Sequence, residues 1–229
     1  MPVFCVRHCE SEFNQHRRLG TISDPERFVD CSLTKEGMRQ AEQLRTKLNI
    51  LLAADPLILV SPLTRALQTL ELAIPSERLQ ELREGQKLQV FPLLREHLEE
   101  PCDIGSDPRK LKNEFPWCSF ESLEPLWYLN EQQKQIINHS TPNEHQTYWP
   151  ILASHLETED QLLERVEKTK KHISTNIEQH HTILLFGHAN FFHRFTGTKL
   201  FDPDTNEYDY FGQWLANGEI YELEWPRTE

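Results

Sequence analysis

Four short apolar runs along the 229-residue chain are predicted to form β-strands. Their sequences are PVFCVR (2–7), LILV (57–60), QVFPLLRE (89–96) and TILLFGHAN (182–190). Each run has the length of a strand and is typical of strands that are buried in a sheet. An apolar run of this length can also belong to a helix, so the residues between the runs decide the fold class.

Two long segments between these runs repeat apolar residues at helical spacing. In residues 34–54 the apolar side chains recur every three or four positions, and Thr34 is placed to cap the first turn. Residues 158–180 show the same spacing, and Thr158 and Gln161 are placed as a capping box. Both segments are therefore predicted to be amphipathic helices.

The second strand leads directly into another predicted helix. Ser61 is expected to be its N-cap and Pro62 its first residue, which places Arg65 about one turn inside the helix. A helix that begins where a strand ends presents backbone N–H groups to a ligand, and α/β proteins use such junctions to bind anions. Arg65 is thus a candidate anion-binding residue.

The carboxyl-terminal part of the chain is predicted to contain a short helix and a hairpin. The helix follows the strand at 182–190 and ends at Gly197. Residues 214–225 (WLANGEIYELEW) are predicted to form a β-hairpin in which Asn217 and Gly218 make a type I′ turn. Strands that alternate with helices predict an α/β fold, a three-layer sandwich whose mostly parallel central sheet is flanked by helices.

The segment from about residue 97 to 157 has a different character. It holds six of the 14 prolines and three of the five tryptophans, and it lacks both strand-like alternation and a clear helical period. We expect an inserted cap of loops and short helices. The whole chain, 1–229, is predicted to be a single domain that carries this cap.

Composition and charge narrow the class of partner. The net charge of −12 disfavours diffuse attraction to nucleic acid or anionic lipid. No apolar run approaches the ~18 residues of a membrane span, and the first residues do not resemble a secretory signal. Five cysteines without CxxC spacing fit reduced thiols, so a cytoplasmic location is expected.

Side chains with catalytic chemistry occur where the predicted strands end. Arg7 and His8 end the first strand, Arg65 follows the second, Glu96 the third, and His188 lies at the end of the fourth. Ligands of open α/β sheets bind outside the carboxyl ends of the strands, so these side chains are expected to meet. Arginines can neutralise phosphate oxygens, a histidine can attack phosphorus, and a carboxylate can serve the leaving group.

Four sequence blocks resemble motifs of the histidine phosphatase superfamily, the phosphoglycerate mutase-like fold. They are VRHCESEFN (6–14), LTKEGMRQA (33–41), VSPLTRALQT (60–69) and LLFGHANFF (184–192), in the order of that family. Any one block is a weak signal, but four in order across most of the chain are specific. The resemblance implies an enzyme that forms a phosphohistidine.

The resemblance also implies a role for each residue of the predicted site. His8 would be the nucleophile, and Glu96 would protonate the leaving oxygen and then activate water. The residues that it places around the phosphoryl group are Arg7, Asn14, Arg65, His188 and Ala189. Neighbouring positive charge would lower the pKa of the imidazole and keep His8 neutral. Such a site needs no metal or other cofactor, since phosphoryl transfer depends mainly on positioning and charge stabilisation.

Cys9 departs from the family motif, which usually has glycine or alanine at this position. Cysteine-dependent phosphatases use a Cys-x5-Arg loop, and here the arginine position holds Gln15. No glycine lies between residues 9 and 15 to shape a phosphate cradle. His8 is therefore preferred as the nucleophile, and Cys9 is interpreted as a small side chain near the site.

Four carboxylates are candidates for the acid. Glu96 is favoured because it follows the third predicted strand immediately, whereas Glu99, Glu100 and Asp103 stay open as alternatives.

The sequence as a whole predicts a metal-independent phosphatase that hydrolyses small phosphate monoesters. Phosphoglycerate mutase-type transfer is one alternative, but the mutases carry an ER-x-YG-x-L-x-G run from the acid onward, whereas HLEEPCDIGSD follows Glu96 here. A non-catalytic interaction domain is another alternative, since degenerate members of the superfamily bind proteins. The segment 97–157 would then be the surface for a protein partner.

Overall fold

The computed structural model describes residues 2–138, 148–176, 180, 182–202 and 207–225. The strands in this part of the chain are β1 (Pro2–Arg7), β2 (Leu57–Val60), β3 (Leu88–Val90), β4 (Ile183–Gly187), β5 (Thr198–Asp202), β6 (Glu207–Phe211) and β7 (Ile220–Glu224). The α-helices are α1 (Glu12–Leu19), α2 (Lys35–Leu52), α3 (Thr64–Ala73), α4 (Ser76–Glu84), α5 (Pro108–Glu114), α6 (Glu131–Asn138), α7 (Trp149–Leu152), α8 (Glu159–Asn176) and α9 (Ala189–Thr196).

The central sheet has the strand order β3-β2-β4-β1-β7. The first four of these strands are parallel, and β7 runs antiparallel to β1. Arg7 pairs with Gly187 and Val60 pairs with Phe186, so the carboxyl ends of β1, β4 and β2 lie side by side. This register confirms the predicted α/β fold with a mostly parallel sheet.

Side chains of the central strands alternate between two cores, one on each face of the sheet. Ile58 and Val60 belong to the core that α2 and α3 cover, whereas Leu57 and Leu59 belong to the core that α8 and α9 cover. All four are completely buried, and such burial stabilises the fold by roughly 1.5–3 kcal/mol per side chain. The three-layer sandwich is therefore confirmed.

The caps predicted for α2 and α8 are present. The Thr34 side chain accepts a hydrogen bond from the Gly37 N–H at 2.9 Å, at the start of α2. The Thr158 N–H donates to Gln161 and the Gln161 N–H donates to Thr158, which completes the capping box at the start of α8. α9 ends at Thr196, as predicted, and Gly197 follows it. Residues 177–179, within the predicted 158–180 segment, lie outside the described residues.

Two predictions near the sheet were wrong in detail. The third strand is not 89–96: β3 ends at Val90, and Pro92–Leu94 forms a 3-10 helix, because proline cannot donate a hydrogen bond to the sheet. Ser61 is not an N-cap and Pro62 is not helical, since α3 begins only at Thr64. Arg65 is consequently the second residue of α3 rather than one turn inside it.

The predicted hairpin at 214–225 was also wrong. Residues 212–216 form no strand, and β7 pairs with β1 instead of with a preceding segment. Gly218 has a φ of 71°, but Asn217 lacks the positive φ that a type I′ turn requires. The hairpin that does form, between β5 and β6, was not predicted from the sequence.

The described residues of the segment 97–157 form the short helices α5, α6 and α7 together with turns and loops. Residues 139–147 of the predicted cap lie outside the described residues. The Nε1–H of Trp127 donates to the Ser106 carbonyl at 3.0 Å, and its indole lies where a side chain on Gly105 would collide. Of the helices that the structure describes, none combines the length and the apolar character needed to cross a membrane.

Candidate active site

A cavity of about 420 Å³ lies beyond the carboxyl ends of β1, β4 and β2. The predicted site residues that line it are Arg7, His8, Asn14, Arg65, Glu96 and Ala189. The alternative carboxylates Glu99, Glu100 and Asp103 line it as well. His188 is fully buried, with its ring centroid 5.1 Å from that of His8. The structure thus brings every predicted site residue to one place.

His8 follows β1 and is held in one orientation. Its Nδ1 lies 2.7 Å from the carbonyl oxygen of Cys9, and the side chain is buried. A carbonyl can only accept, so this hydrogen bond assigns the proton of the neutral ring to Nδ1 and leaves the lone pair on Nε2. Burial, followed by the charges of Arg65 and Arg7, lowers the pKa of His8 well below its usual value. The ring is therefore neutral at physiological pH, with no proton on Nε2.

Cys9 has the properties of a structural side chain. It is fully buried, and burial raises the pKa of its thiol to about 12. Only a thiolate is a good nucleophile, so Cys9 stays protonated and unreactive near pH 7. Its backbone N–H donates to the Thr69 hydroxyl at 3.0 Å and thereby fixes the loop that carries His8.

Arg7 and Arg65 supply positive charge from two sides of the cavity. The Nη1–H of Arg7 donates to the Leu215 carbonyl, while its buried Nε has no partner among the described residues. Arg65 is buried and forms an ion pair with Asp103 at 2.9 Å. Burial raises the pKa of Asp103 to about 6, since it outweighs the attraction of Arg65 and adds to the repulsion from Glu96.

His188 follows β4 and is positioned by Ser61 at the end of β2. The His188 Nε2 lies 2.8 Å from the Ser61 hydroxyl, and its Nδ1 is buried without a partner among the described residues. Burial and then the charge of Arg65 lower the pKa of His188 well below its usual value. If Ser61 donates to Nε2, the neutral ring keeps a proton on Nδ1 that can be donated to an anion.

Glu96 is held at the amino terminus of α9. Its carboxylate accepts backbone hydrogen bonds from Asn190 at 3.2 Å, Phe191 at 3.1 Å and His97 at 2.9 Å. These bonds fix the orientation of Glu96 beside the cavity.

A buried ionic cluster anchors the segment that carries Glu96. Glu157 accepts two hydrogen bonds from Arg95 and two from Arg165, at 2.7–3.0 Å. Arg95 and Arg165 also donate to the carbonyl of Glu96 itself. Burial alone would raise the pKa of Glu157, but the two guanidinium groups lower it to about 2. This cluster ties the end of the cap and α8 to the loop at residue 96.

The family-like motifs support the His8 loop from two helices. In 33–41, the Gln40 side chain accepts from the Glu10 N–H at 2.9 Å, and any side chain on Gly37 would collide with the Glu10 carbonyl. In 60–69, the Gln68 side chain accepts from the Leu33 N–H at 2.8 Å. Gly37, Gln40 and Gln68 therefore support the backbone around the site and do not line the cavity.

Asn217 is a residue of this site that the sequence analysis missed. Its side chain donates to the carbonyl of His8 and to Asn14 Oδ1, both at 3.1 Å. Asn14 also accepts from the Ser11 N–H, at the start of α1. The Asn-Gly pair was a visible signal of a turn, but its contact with His8 depends on the pairing of β7 with β1. Ser61, Arg17, Asn190 and Trp214 were missed as well, because their contacts at the site join segments whose meeting has no local signal in the sequence.

The amino-terminal part of the chain is similar to known sequences. Residues 3–100 match the sequence model of the histidine phosphatase superfamily (branch 1). A probable phosphatase of Schizosaccharomyces pombe is 35% identical over 89 residues. Those residues are 38% of this chain and 39% of that protein, so the similarity spans about two fifths of the curated relative.

The whole fold is similar to solved structures. A protein from Thermus thermophilus matches with a TM-score of 0.52 and 20% identity, over 99% of this chain and 95% of the other. A phosphoglycerate mutase from the same organism matches with a TM-score of 0.51, also at 20% identity, over 99% of this chain and 95% of the mutase. At 20% identity this similarity shows the fold alone, and the reaction has to be inferred from the residues of the site.

Proposed function

We propose that this chain is a member of the histidine phosphatase superfamily and hydrolyses small phosphate monoesters without a metal, through a phosphohistidine on His8. The observation that carries the proposal is the bond from His8 Nδ1 to the Cys9 carbonyl. It leaves the Nε2 lone pair available in a cavity that Arg7 and Arg65 also line. Positioning and charge stabilisation of this kind are what phosphoryl transfer requires.

In the first step, the Nε2 lone pair of His8 attacks phosphorus and the bond to the leaving oxygen breaks. Protonated Glu96 gives its proton to that oxygen and becomes a carboxylate. In the second step, the Glu96 carboxylate takes a proton from water, whose oxygen attacks phosphorus. The P–N bond breaks, its electron pair returns to Nε2, and inorganic phosphate leaves.

The remaining groups stabilise the transferring phosphoryl group. Arg7 Nε and His188 Nδ1 are buried polar atoms without partners among the described residues, and both can donate to phosphoryl oxygens. Arg65 adds a charge from the start of α3. Asn14 and Ala189 line the same cavity and are proposed to contact the substrate.

The predictions about cellular location and protein partners belong to the same proposal. A cytoplasmic location is supported by five free thiols at Cys5, Cys9, Cys31, Cys102 and Cys118. A non-catalytic role in protein binding is disfavoured, because the predicted nucleophile and its cationic neighbours are all assembled. The segment 97–157 remains a proposed surface for a protein partner.

Turnover of an aryl phosphate tests the proposal. The wild-type chain should hydrolyse p-nitrophenyl phosphate with undiminished rate in EDTA, and vanadate should inhibit it. His8→Ala should lose turnover by at least about 10³-fold, while the matched variant Cys9→Ala should keep most of it. Dependence of the activity on an added divalent ion, or loss with Cys9→Ala alone, would contradict the proposal.

A further inference from the structure

The loop that carries the four candidate carboxylates crosses the mouth of the cavity from α9 to α1. On one side, Asn190 Nδ2 donates to Glu99 Oε2 at 3.1 Å. On the other side, Arg17 forms an ion pair with Glu100 at 2.8 Å. A leaving group that extends from the phosphoryl position toward solvent must therefore pass this loop.

The charges around the cavity are unevenly distributed. Among its described lining residues are three arginines, Arg7, Arg17 and Arg65, and four carboxylates, Glu96, Glu99, Glu100 and Asp103. Arg65 is paired with Asp103, and Arg17 is paired with Glu100. Arg7 is left for the phosphoryl group. Glu99 lies 3.3 Å from the imidazole of His97 but contacts no arginine or lysine among the described residues. The mouth is consequently acidic.

An aromatic surface completes the mouth. Trp214 lines the cavity with 60% of its surface exposed. Its indole stacks on His193, with ring centroids 4.1 Å apart. An exposed indole face attracts cations and uncharged carbon-rich groups more than carboxylates, and the Arg194 guanidinium lies 5.9 Å from the centre of this ring.

From this arrangement we infer that the leaving group is an alcohol without negative charge, either neutral or cationic. The inference rests on the proposed function and narrows its substrate class. A substrate with a second carboxylate or phosphate would bring that group against Glu99, whose charge no arginine or lysine among the described residues offsets. At separations of about 6 Å in a half-solvated site, one such like-charge pair weakens binding by about tenfold. Acids such as phosphoglycerate are therefore poor substrates for this cavity.

Three monoesters of nearly equal size test the inference: phosphoethanolamine, 2-hydroxyethyl phosphate and phosphoglycolate, which end in a cation, a neutral hydroxyl and an anion. We expect kcat/KM for phosphoglycolate to be at least about tenfold below that for 2-hydroxyethyl phosphate. Phosphoethanolamine should equal or exceed the neutral ester. Equal or better turnover of phosphoglycolate would overturn the inference.

Two double variants test whether the carboxylates at the mouth cause the difference in kcat/KM between the neutral and the anionic ester. Glu99→Gln combined with Glu100→Gln should shrink the gap between the neutral and anionic esters to about threefold or less. The control, Glu42→Gln combined with Glu77→Gln, changes the net charge equally at two exposed helical positions away from the cavity. It should leave the gap unchanged. An equal effect of both double variants would assign the discrimination to the overall charge and not to the mouth.

Binding separates this inference from the proposed function. Calorimetric titration of His8→Ala with the neutral and the anionic ester reports the preference without any turnover. If wild type fails to hydrolyse even p-nitrophenyl phosphate, the proposed function fails, while the ratio of the two Kd values still decides the inference. Tighter binding of phosphoglycolate would refute it.

Discussion

The tautomer of His8 depends on one backbone carbonyl, that of Cys9. The loop geometry that presents this carbonyl depends in turn on short contacts: the Cys9 N–H to Thr69, the Glu10 N–H to Gln40, and the Asn217 amide to the carbonyl of His8. Each contact comes from a different part of the chain. His8, the proposed nucleophile, is thus positioned by side chains that do not line the cavity.

At the scale of single residues, the group that protonates the leaving oxygen can be identified from how single-turnover rates depend on the leaving group. Glu96→Gln keeps the size of the side chain but cannot give a proton. Formation of the phosphoenzyme should slow by about 10²-fold or more with alkyl phosphates. With aryl phosphates it should slow far less, because an aryl oxide leaves without protonation. Dephosphorylation should slow with both, since it needs the same group as a base.

Asp103→Asn serves as the comparison for Glu96→Gln. Asp103 is paired with Arg65, so its loss should slow alkyl and aryl phosphates alike through the position of the guanidinium. If Asp103→Asn shows the leaving-group contrast and Glu96→Gln does not, the acid role moves to Asp103.

At the scale of elements, the cluster of Arg95, Glu157 and Arg165 joins α8 to the loop of Glu96. Glu157→Gln would leave two buried guanidinium groups without a counter-charge. We expect the free energy of unfolding to fall by about 3–5 kcal/mol, measured by urea denaturation. Glu164→Gln, which breaks the exposed pair with Lys168 on the same helix, should have little effect.

Wild type and Glu157→Gln should also differ in how their free energy of unfolding depends on pH. The folded pKa of Glu157 is lowered to about 2 from an ordinary value of 4.5, so its stabilisation is complete above pH 4.5 and is lost as pH falls toward 2. Relative to Glu157→Gln, wild type should lose about 3 kcal/mol of unfolding free energy between pH 5 and pH 2. A difference that stays constant with pH would show that Glu157 does not bear this charge.

Elements with a local signal could be predicted from the sequence, and those that depend on pairing could not. Thr34, Thr158 and Gln161 act within one helical turn, so their caps are visible in the sequence. The strand at 220–224 was assigned to a hairpin because its partner, β1, lies more than 200 residues away. The pairing of β5 with β6 is an exception: the turn-forming residues PDTN (203–206) and the alternating run EYDYF were a local signal, and it was missed.

At the scale of the whole molecule, the parallel sheet explains why a site could be predicted at all. Adjacent parallel strands end at one edge, so Arg7, His8 and His188 had to meet there once the strands were identified. No such rule predicts the acidic mouth of the cavity. The contacts of Glu100 with Arg17 and of Glu99 with Asn190 depend on the path of a loop. The net charge of −12 has the same sign as the charge at the mouth. Attraction of the phosphate therefore depends on the arginines at the cavity.

The central claim is that phosphorus bonds transiently to His8. Trapping the phosphorylated protein, locating the label and testing its stability in acid and in base tests this claim most directly. Wild type is mixed with a ³²P-labelled monoester, quenched in alkali during turnover, and digested for mass spectrometry. The account predicts label on the peptide that contains His8, stable in base and lost in acid. Label on Cys9, or hydrolysis that proceeds at full rate with no labelled protein at any time, would contradict it.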